Sequence, residues 1–243
     1  MYFKQFPIVG YTFGNNLPIV AFQDLSVYVD VVDRLKDNLA FYEFYHILEG
    51  DRPDQVSQKL YGSVNFYYLF FLMNDNIRER GWPLTLDQIN TKVKKDFPHT
   101  TITTQTTLID RMKPTHTVTG ALSEATGKII HRNLDLGQLV IEGTHVFTPG
   151  ETVSSPESPG QTITITGSVA QSDSIAYFKD ASGKRDDVAT PGGTANAAGV
   201  TLTPVTYAED YREQNDALRK IRVPRQEIVS EIDTKFVEEL NVQ

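Results

Sequence analysis

The chain contains no cysteine, which excludes disulfides, thiolate metal sites and cysteine nucleophiles. No apolar run reaches the roughly 20 residues that a membrane-spanning helix needs. Basic residues are in the minority, 23 Lys and Arg against 31 Asp and Glu, and they form no cluster. Binding to a nucleic-acid backbone is therefore not expected, and the acidic balance is read as solubility. The first residues, MYFKQFPIVGYTFGNN, hold neither a long apolar core nor a small-residue cleavage site, so no signal peptide is expected.

Catalytic and metal-binding patterns are equally scarce. None of His46, His99, His116, His131 and His145 has a partner at the i,i+4 spacing of a zinc helix. His131 and His145 could meet across a hairpin, although strand-borne surface histidines are the commoner case. There is no GxSxG, and TPGGTANAAG lacks the lysine of a phosphate-binding loop. Glu142 and Glu151 are the carboxylates a glycosidase-like groove would use, yet nothing in the sequence brings them together. Asn74-Asp75-Asn76 lacks the glycine and distal glutamate of a calcium loop. The expectation is a protein that is not an enzyme and holds no cofactor or metal.

What the chain does have is folded-protein composition, 40% hydrophobic and 22% charged over 243 residues. Residues 1–40 are broken by Pro7, Gly10, Gly14 and Pro18, with a strand-like alternation over Leu25, Val27, Val29 and Val31, and are read as an N-terminal arm. FYEFYHILEG, residues 41–50, is aromatic and β-prone. A short helix follows, with Asp51 as N-cap, Pro53 early and Gly62 just past its end. Ser63 then caps a second helix, where Val64, Phe66, Tyr67, Tyr68, Leu69, Phe70, Phe71, Leu72 and Met73 are apolar on nearly every side. Such a helix needs cover nearly all round.

Around residue 100 the composition changes. HTTITTQTTLI favours extended chain, and short strands are expected at Lys128–Ile130, Gln138–Ile141, His145–Thr148, Thr162–Thr166 and Ser174–Phe178. ETVSSPESPGQ and TPGGTANAAG read as loops. Helical signal returns at Tyr207–Arg219, an extended ALRKIRVP ends at Pro224, and a last helix carries Ile228, Ile232, Phe236 and Leu240 at i,i+4 spacing.

GDRPDQVSQKLYGSVNFYYLFFLMND resembles the first half of a lysin-motif (LysM) module of the kind found in phage tail proteins, on Gly50, Pro53, Val56, Ser57, Tyr61, Gly62, Tyr67 and Asn74, with Trp82-Pro83 following. Ala217–Pro224 resembles the strand that closes such modules. With Tyr211, Asn215, Arg219 and Ile221, the arrangement is similar to the small baseplate wedge subunits of T-even-like contractile-tailed phages. The resemblance covers residues 25–90 and 207–240. It implies an α+β fold: a small LysM-like βααβ module interrupted by a β-rich insertion, with an extended N-terminal arm and a C-terminal helix. The expected divisions are an arm at 1–40, the module's first part at 41–99, the insertion at 100–206, the closing helix and strand at 207–224, and a terminal helix at 225–243.

The function so implied is that of a structural subunit of the virion, assembled in the host cytoplasm and clamping neighbouring baseplate wedges together. Its partners would be the long-chain wedge core subunits and the sheath-initiating subunit, with no nucleic acid and no membrane. A LysM-type protein binding peptidoglycan carbohydrate is the alternative. Tyr61, Tyr67 and Phe71 are assigned to the core. Phe66, Phe70, Trp82, Ile228, Ile232, Phe236 and Leu240 are the expected partner interface, with folding back of the terminal helix as the other outcome.

Overall fold

Threonine dominates the strand that opens the β-rich part, and its hydroxyls explain how it tolerates burial. Thr100 Oγ1 donates to the His145 carbonyl (3.1 Å) and accepts from the His145 N–H (2.8 Å). Thr104 Oγ1 donates to the Thr164 carbonyl at 2.6 Å. A buried hydroxyl costs little once bonded in this way.

The structure is a computed structural model and describes residues 8–12, 14, 18–23 and 41–242, with side chains to residue 238. The alternating stretch at Leu25–Val31 lies outside the described residues. In order, the elements are β1 (Ile8–Tyr11), β2 (Val20–Gln23), β3 (Tyr42–His46), α1 (Pro53–Tyr61), α2 (Tyr68–Met73), α3 (Asp75–Arg80), α4 (Leu86–Asp96), β4 (Thr100–Thr104), β5 (Thr117–Gly120), β6 (Thr126–Asn133), β7 (Gln138–Ile141), β8 (Thr152–Ser154), β9 (Thr162–Ala170), β10 (Ile175–Lys179), β11 (Arg185–Asp186), β12 (Thr203–Thr206), α5 (Tyr207–Ala217), β13 (Lys220–Pro224) and α6 (Val229–Val242). They fall into two compact units, residues 1–85 with 215–243, and residues 86–214.

The second unit overturns the expected fold class. It contains a closed antiparallel barrel, β4-β7-β6-β5-β8-β9, and the protein is β-rich rather than a small LysM-like βααβ module with one insertion. The reason is physical: the segment read as an insertion encloses its own core. Ile102, Val118, Ile129, Leu139, Ile141, Val153, Ile163 and Ile165 all point inward and are buried. Strands β5, β6 and β7 form successive hairpins, while β4 returns to lie beside β7, the connectivity of a Greek key. Pairing of β4 with β9 then closes the sheet and removes its edges.

The connection from β4 to β5 sends Leu108 and Met112 into this core. Arg132 Nη1 holds the connection by donating to the carbonyls of Leu108 (2.9 Å) and Arg111 (2.6 Å). Beyond the barrel, β11-β10-β12 form a three-stranded sheet that buries Phe178 and Val205.

Thr101 departs from the pattern of its neighbours. It is fully buried, and its Oγ1 has no hydrogen-bond partner among the described residues. A desolvated, unbonded hydroxyl is destabilising, and valine has the same shape without it. Thr101→Val is therefore expected to stabilise the barrel by about 1 kcal/mol, read as a rise in the urea midpoint at unchanged slope.

In the first unit, β3 pairs antiparallel with β13, with Phe44 opposite Arg222. The strand expected at Ala217–Pro224 is thus present from Lys220. The first helix begins with Arg52 as N-cap rather than Asp51, and Pro53 occupies its first turn. It ends at Gly62, whose φ of 69° is the left-handed conformation that glycine adopts without strain. The described part of the arm is not irregular: β1 and β2 form a hairpin with Val9 opposite Phe22 and Tyr11 opposite Val20.

Candidate partner interface

The aromatic segment is not one helix. Ser63 caps a 3₁₀ turn, Val64–Tyr67, by accepting from the Asn65 N–H at 3.3 Å, and the α-helix α2 follows. The turn re-aims the side chains so that α2 feeds two cores. Phe70 packs with Ile47, Val56, Ile77, Leu218, Ile221 and Val223. Tyr68 and Leu69 pack with Val229, Ile232 and Phe236 of the last helix. The terminal helix therefore supplies the missing cover, and Tyr68 OH donates to the Asp233 carboxylate within the same contact.

Several residues expected at a partner interface are covered by their own chain. Phe70, Ile232 and Phe236 are buried inside their own chain. Phe66 is half-buried, set edge-on against Tyr61 with ring centroids 6.0 Å apart. Ile228 is partly buried against the Tyr68–Phe236 core. Trp82 stacks near Phe70 and Phe71, at 6.1 and 5.9 Å, while its indole N–H donates to the Asp51 carbonyl at 2.7 Å. The Leu240 side chain lies outside the described residues. The i,i+4 stripe was read as serving partners because a helix after Pro224 has few near neighbours in sequence; its neighbours come from α2, far earlier in the chain. Tyr61, half-buried, donates its OH to the Pro224 carbonyl at 2.9 Å and joins the core.

Two asparagines hold the first unit together in ways the sequence does not announce. Asn215 is bonded to both backbone groups of Leu84: its Oδ1 accepts at 2.7 Å and its Nδ2 donates at 3.1 Å. Asn74 does the same for Arg222, accepting from its N–H (2.8 Å) and donating to its carbonyl (2.7 Å) and to that of Phe70 (2.8 Å). A side-chain amide here takes the place of a neighbouring strand. Asn74→Ala removes these bonds from a buried position and is expected to cost about 2 kcal/mol, measurable by chemical denaturation.

Exposed apolar side chains lie elsewhere, on the hairpin (Ile8, Val9, Ile19 and Val20) and along β3 (Phe41, Phe44 and Leu48). Within the hairpin Ile19 folds over Gly10, where a Cβ would come within 2.7 Å of it. Strand alternation puts Val9, Tyr11, Val20 and Phe22 on one face.

The residues considered for chemistry are engaged structurally. Glu151 is buried, and its carboxylate accepts from the N–H groups of Leu122 (2.8 Å), Ser123 (2.9 Å) and Thr148 (2.7 Å) and from Ser123 Oγ (2.7 Å). Burial alone would raise its pKa, but the donors outweigh burial and bring it down to about 2. Hydrogen-bonded by these fixed donors, the carboxylate is ionised at neutral pH and has no proton to give, and Glu142 is exposed.

A cleft of about 580 Å³ in the second unit is lined in part by Lys94, His99, His145 and Asp173. His99 Nδ1 accepts from the Gly143 N–H at 3.1 Å, and His145 Nε2 bonds the Glu142 carbonyl at 2.7 Å. Both rings thereby hold the turn after β7. Among the described residues no three His, Asp or Glu side chains gather as a metal site, and no helix is long and apolar enough to cross a membrane. Compared with protein-family models and with curated proteins, the chain matches none.

Proposed function

We propose that the chain is a structural subunit of a contractile-tail baseplate wedge of T-even-like phages, holding neighbouring subunits together by protein–protein contacts in the virion. Its partners in this reading are the wedge core subunits and the sheath-initiating subunit. The observation that carries the proposal is the β1–β2 hairpin. Ile8 is 75% and Ile19 is 74% exposed, and Val9 and Val20 are exposed as well. On one face Val9, Tyr11, Val20 and Phe22 are neighbours by pairing and all exposed, and contiguous exposed apolar surface of this kind favours burial against another chain. The sequence resemblance supplies the identity of the assembly.

Cross-linking mass spectrometry on tailed particles purified from cells that produce this chain tests the reading, following Lys220 and Lys235. Cross-links to other tail-base subunits are the expected result. Absence of the chain from clean particles, together with co-sedimentation of the purified protein with insoluble peptidoglycan, overturns it.

A further inference from the structure

The two-stranded sheet of the first unit has two outer edges, and the middle of one of them is occupied by a side chain. The phase of its ladder follows from the bonds that bracket it. Ile47 N–H donates to the Arg219 carbonyl (2.9 Å), and Arg225 N–H donates to that of Phe41 (3.1 Å). Antiparallel pairs alternate between bonded and non-bonded, so Tyr45 with Ile221 and Glu43 with Val223 are bonded pairs. Tyr42, Phe44 and His46 consequently turn their N–H and C=O groups away from β13. On the opposite edge the corresponding groups of Arg222 are taken by Asn74. On the β3 edge the backbone groups of Phe44 and His46 have no partner among the described residues.

Exposure and charge add to this. Phe44 is 56% exposed, and His46 is exposed. Alternation places Tyr42, Phe44 and His46 on one face with Arg222 and Lys220. Lys220 leans across β3, its Nζ lying 4.6 Å from the centre of the Phe44 ring, and the Arg222 guanidinium carbon lies 5.1 Å from that of Tyr42. No carboxylate pairs with Lys220 among the described residues. Glu43 falls on the other face. The chain as a whole carries a net charge of −8, but charges beyond a Debye length of about 8 Å are largely screened at physiological salt. The local basic groups therefore set the potential at this edge.

We propose that the open edge of β3 at Phe44 and His46 is a docking site for an extended, acidic segment of a partner protein, which adds as a third strand. The partner backbone bonds the outward groups of Phe44 and His46, and carboxylates at alternate positions reach Lys220 and the His46 side of the face. This mode of recognition derives affinity from main-chain bonds and selectivity from alternate side chains. A second copy of the chain is the poorer occupant. Antiparallel pairing of β3 with itself about Phe44 would bring Lys220 of both copies onto one face, and like charges so placed are destabilising. The inference is independent of the baseplate reading, because it concerns the chemistry of the added strand and not the assembly it belongs to.

The test uses the full chain and two capped eight-residue peptides, one alternating Glu with Val and the other Lys with Val. Calorimetry is combined with amide hydrogen exchange followed by NMR. The Glu peptide is expected to bind at least tenfold more tightly than the Lys peptide and to slow exchange at Phe44 and His46 at least tenfold, with Glu43 and Tyr45 protected throughout. Lys220→Glu should reverse the preference. Phe44→Pro, which deletes an outward N–H and spares the bonds to β13, should abolish binding of the Glu peptide. Unchanged exchange at Phe44 and His46 under saturating peptide overturns the proposal, as does equal binding of both peptides. A concentration-dependent dimer in sedimentation that protects the same amides also overturns it, in favour of self-pairing.

Discussion

Excising residues 100–206 and joining His99 to Tyr207 through a short Gly-Ser linker is expected to leave the first unit folded. The excised segment leaves and returns at neighbouring points. The rings of Phe97 and Tyr207 are 4.3 Å apart, and Tyr211 OH donates to Asp96 at 3.2 Å. Further along the same helix pair, Arg212 Nη2 donates to Asn90 Oδ1 at 3.0 Å. A linker bridging so small a gap adds little loop-closure entropy, since each doubling of loop length costs only about 0.6 kcal/mol. The β3–β13 pair and the two cores fed by α2 draw on none of the removed residues. The shortened chain should melt cooperatively and keep its helical circular dichroism. A product without a cooperative transition would show that the first unit depends on the barrel.

The largest single-residue effect is expected at Glu151. In Glu151→Gln the amide, whichever way it is turned, presents its NH₂ to at least one backbone N–H among Leu122, Ser123 and Thr148. Hydrogen bonds to a charged acceptor are worth about 1.5–3 kcal/mol each, so a loss of about 3 kcal/mol or more is expected. Gly120 belongs to the same device, because a Cβ there would come within 2.7 Å of the carboxylate oxygens and 2.4 Å of Ser123 Oγ.

The pH dependence follows from the direction of the shift. The folded pKa is about 2 and the ordinary value is 4.5. The contribution of Glu151 is therefore fully present above about pH 4.5 and is lost as pH falls towards about 2. Urea midpoints of the intact chain should decline through that acid window, and those of Glu151→Gln should decline less. Equal acid sensitivity of the two proteins would count against the role assigned to this carboxylate.

How much was legible in the sequence depended on whether a residue's partners were near it in the chain. Gly62, Ser63 and Pro53 were read as local punctuation, and the structure uses each of them locally. Short runs bounded by turn residues marked β7 at Gln138–Ile141 and the start of β9 at Thr162. By contrast, His145–Thr148 is not a strand: Phe147 enters the barrel core from a loop. The short strand β8, Thr152–Ser154, lay hidden in a segment whose Ser, Pro and Gly content spelled loop.

Barrel closure was not legible at all. It depends on Thr101 finding Val169 and Ile102 finding Ser168 across more than half of the second unit, and period-two patterns name a strand without naming its neighbour. The cover of the terminal stripe was not legible for the same reason. Phe236 and Ile232 form a stripe that needs cover, and nothing in their spacing says that Tyr68 and Leu69 provide it. Asn74 looked like a helix end, which it is, but its bonds to Arg222 could only be seen once β13 was in place.

Those bonds also limit how far the sheet can be extended. A sheet open on both sides is a template that can be copied indefinitely, each added strand offering a fresh edge to the next chain. With Asn74 seated on Arg222, an added strand cannot pair with the middle of β13 and is directed to the β3 side of this sheet. Copies of this sheet therefore cannot join head to tail, β3 of one against the middle of β13 of the next, into a continuous ribbon.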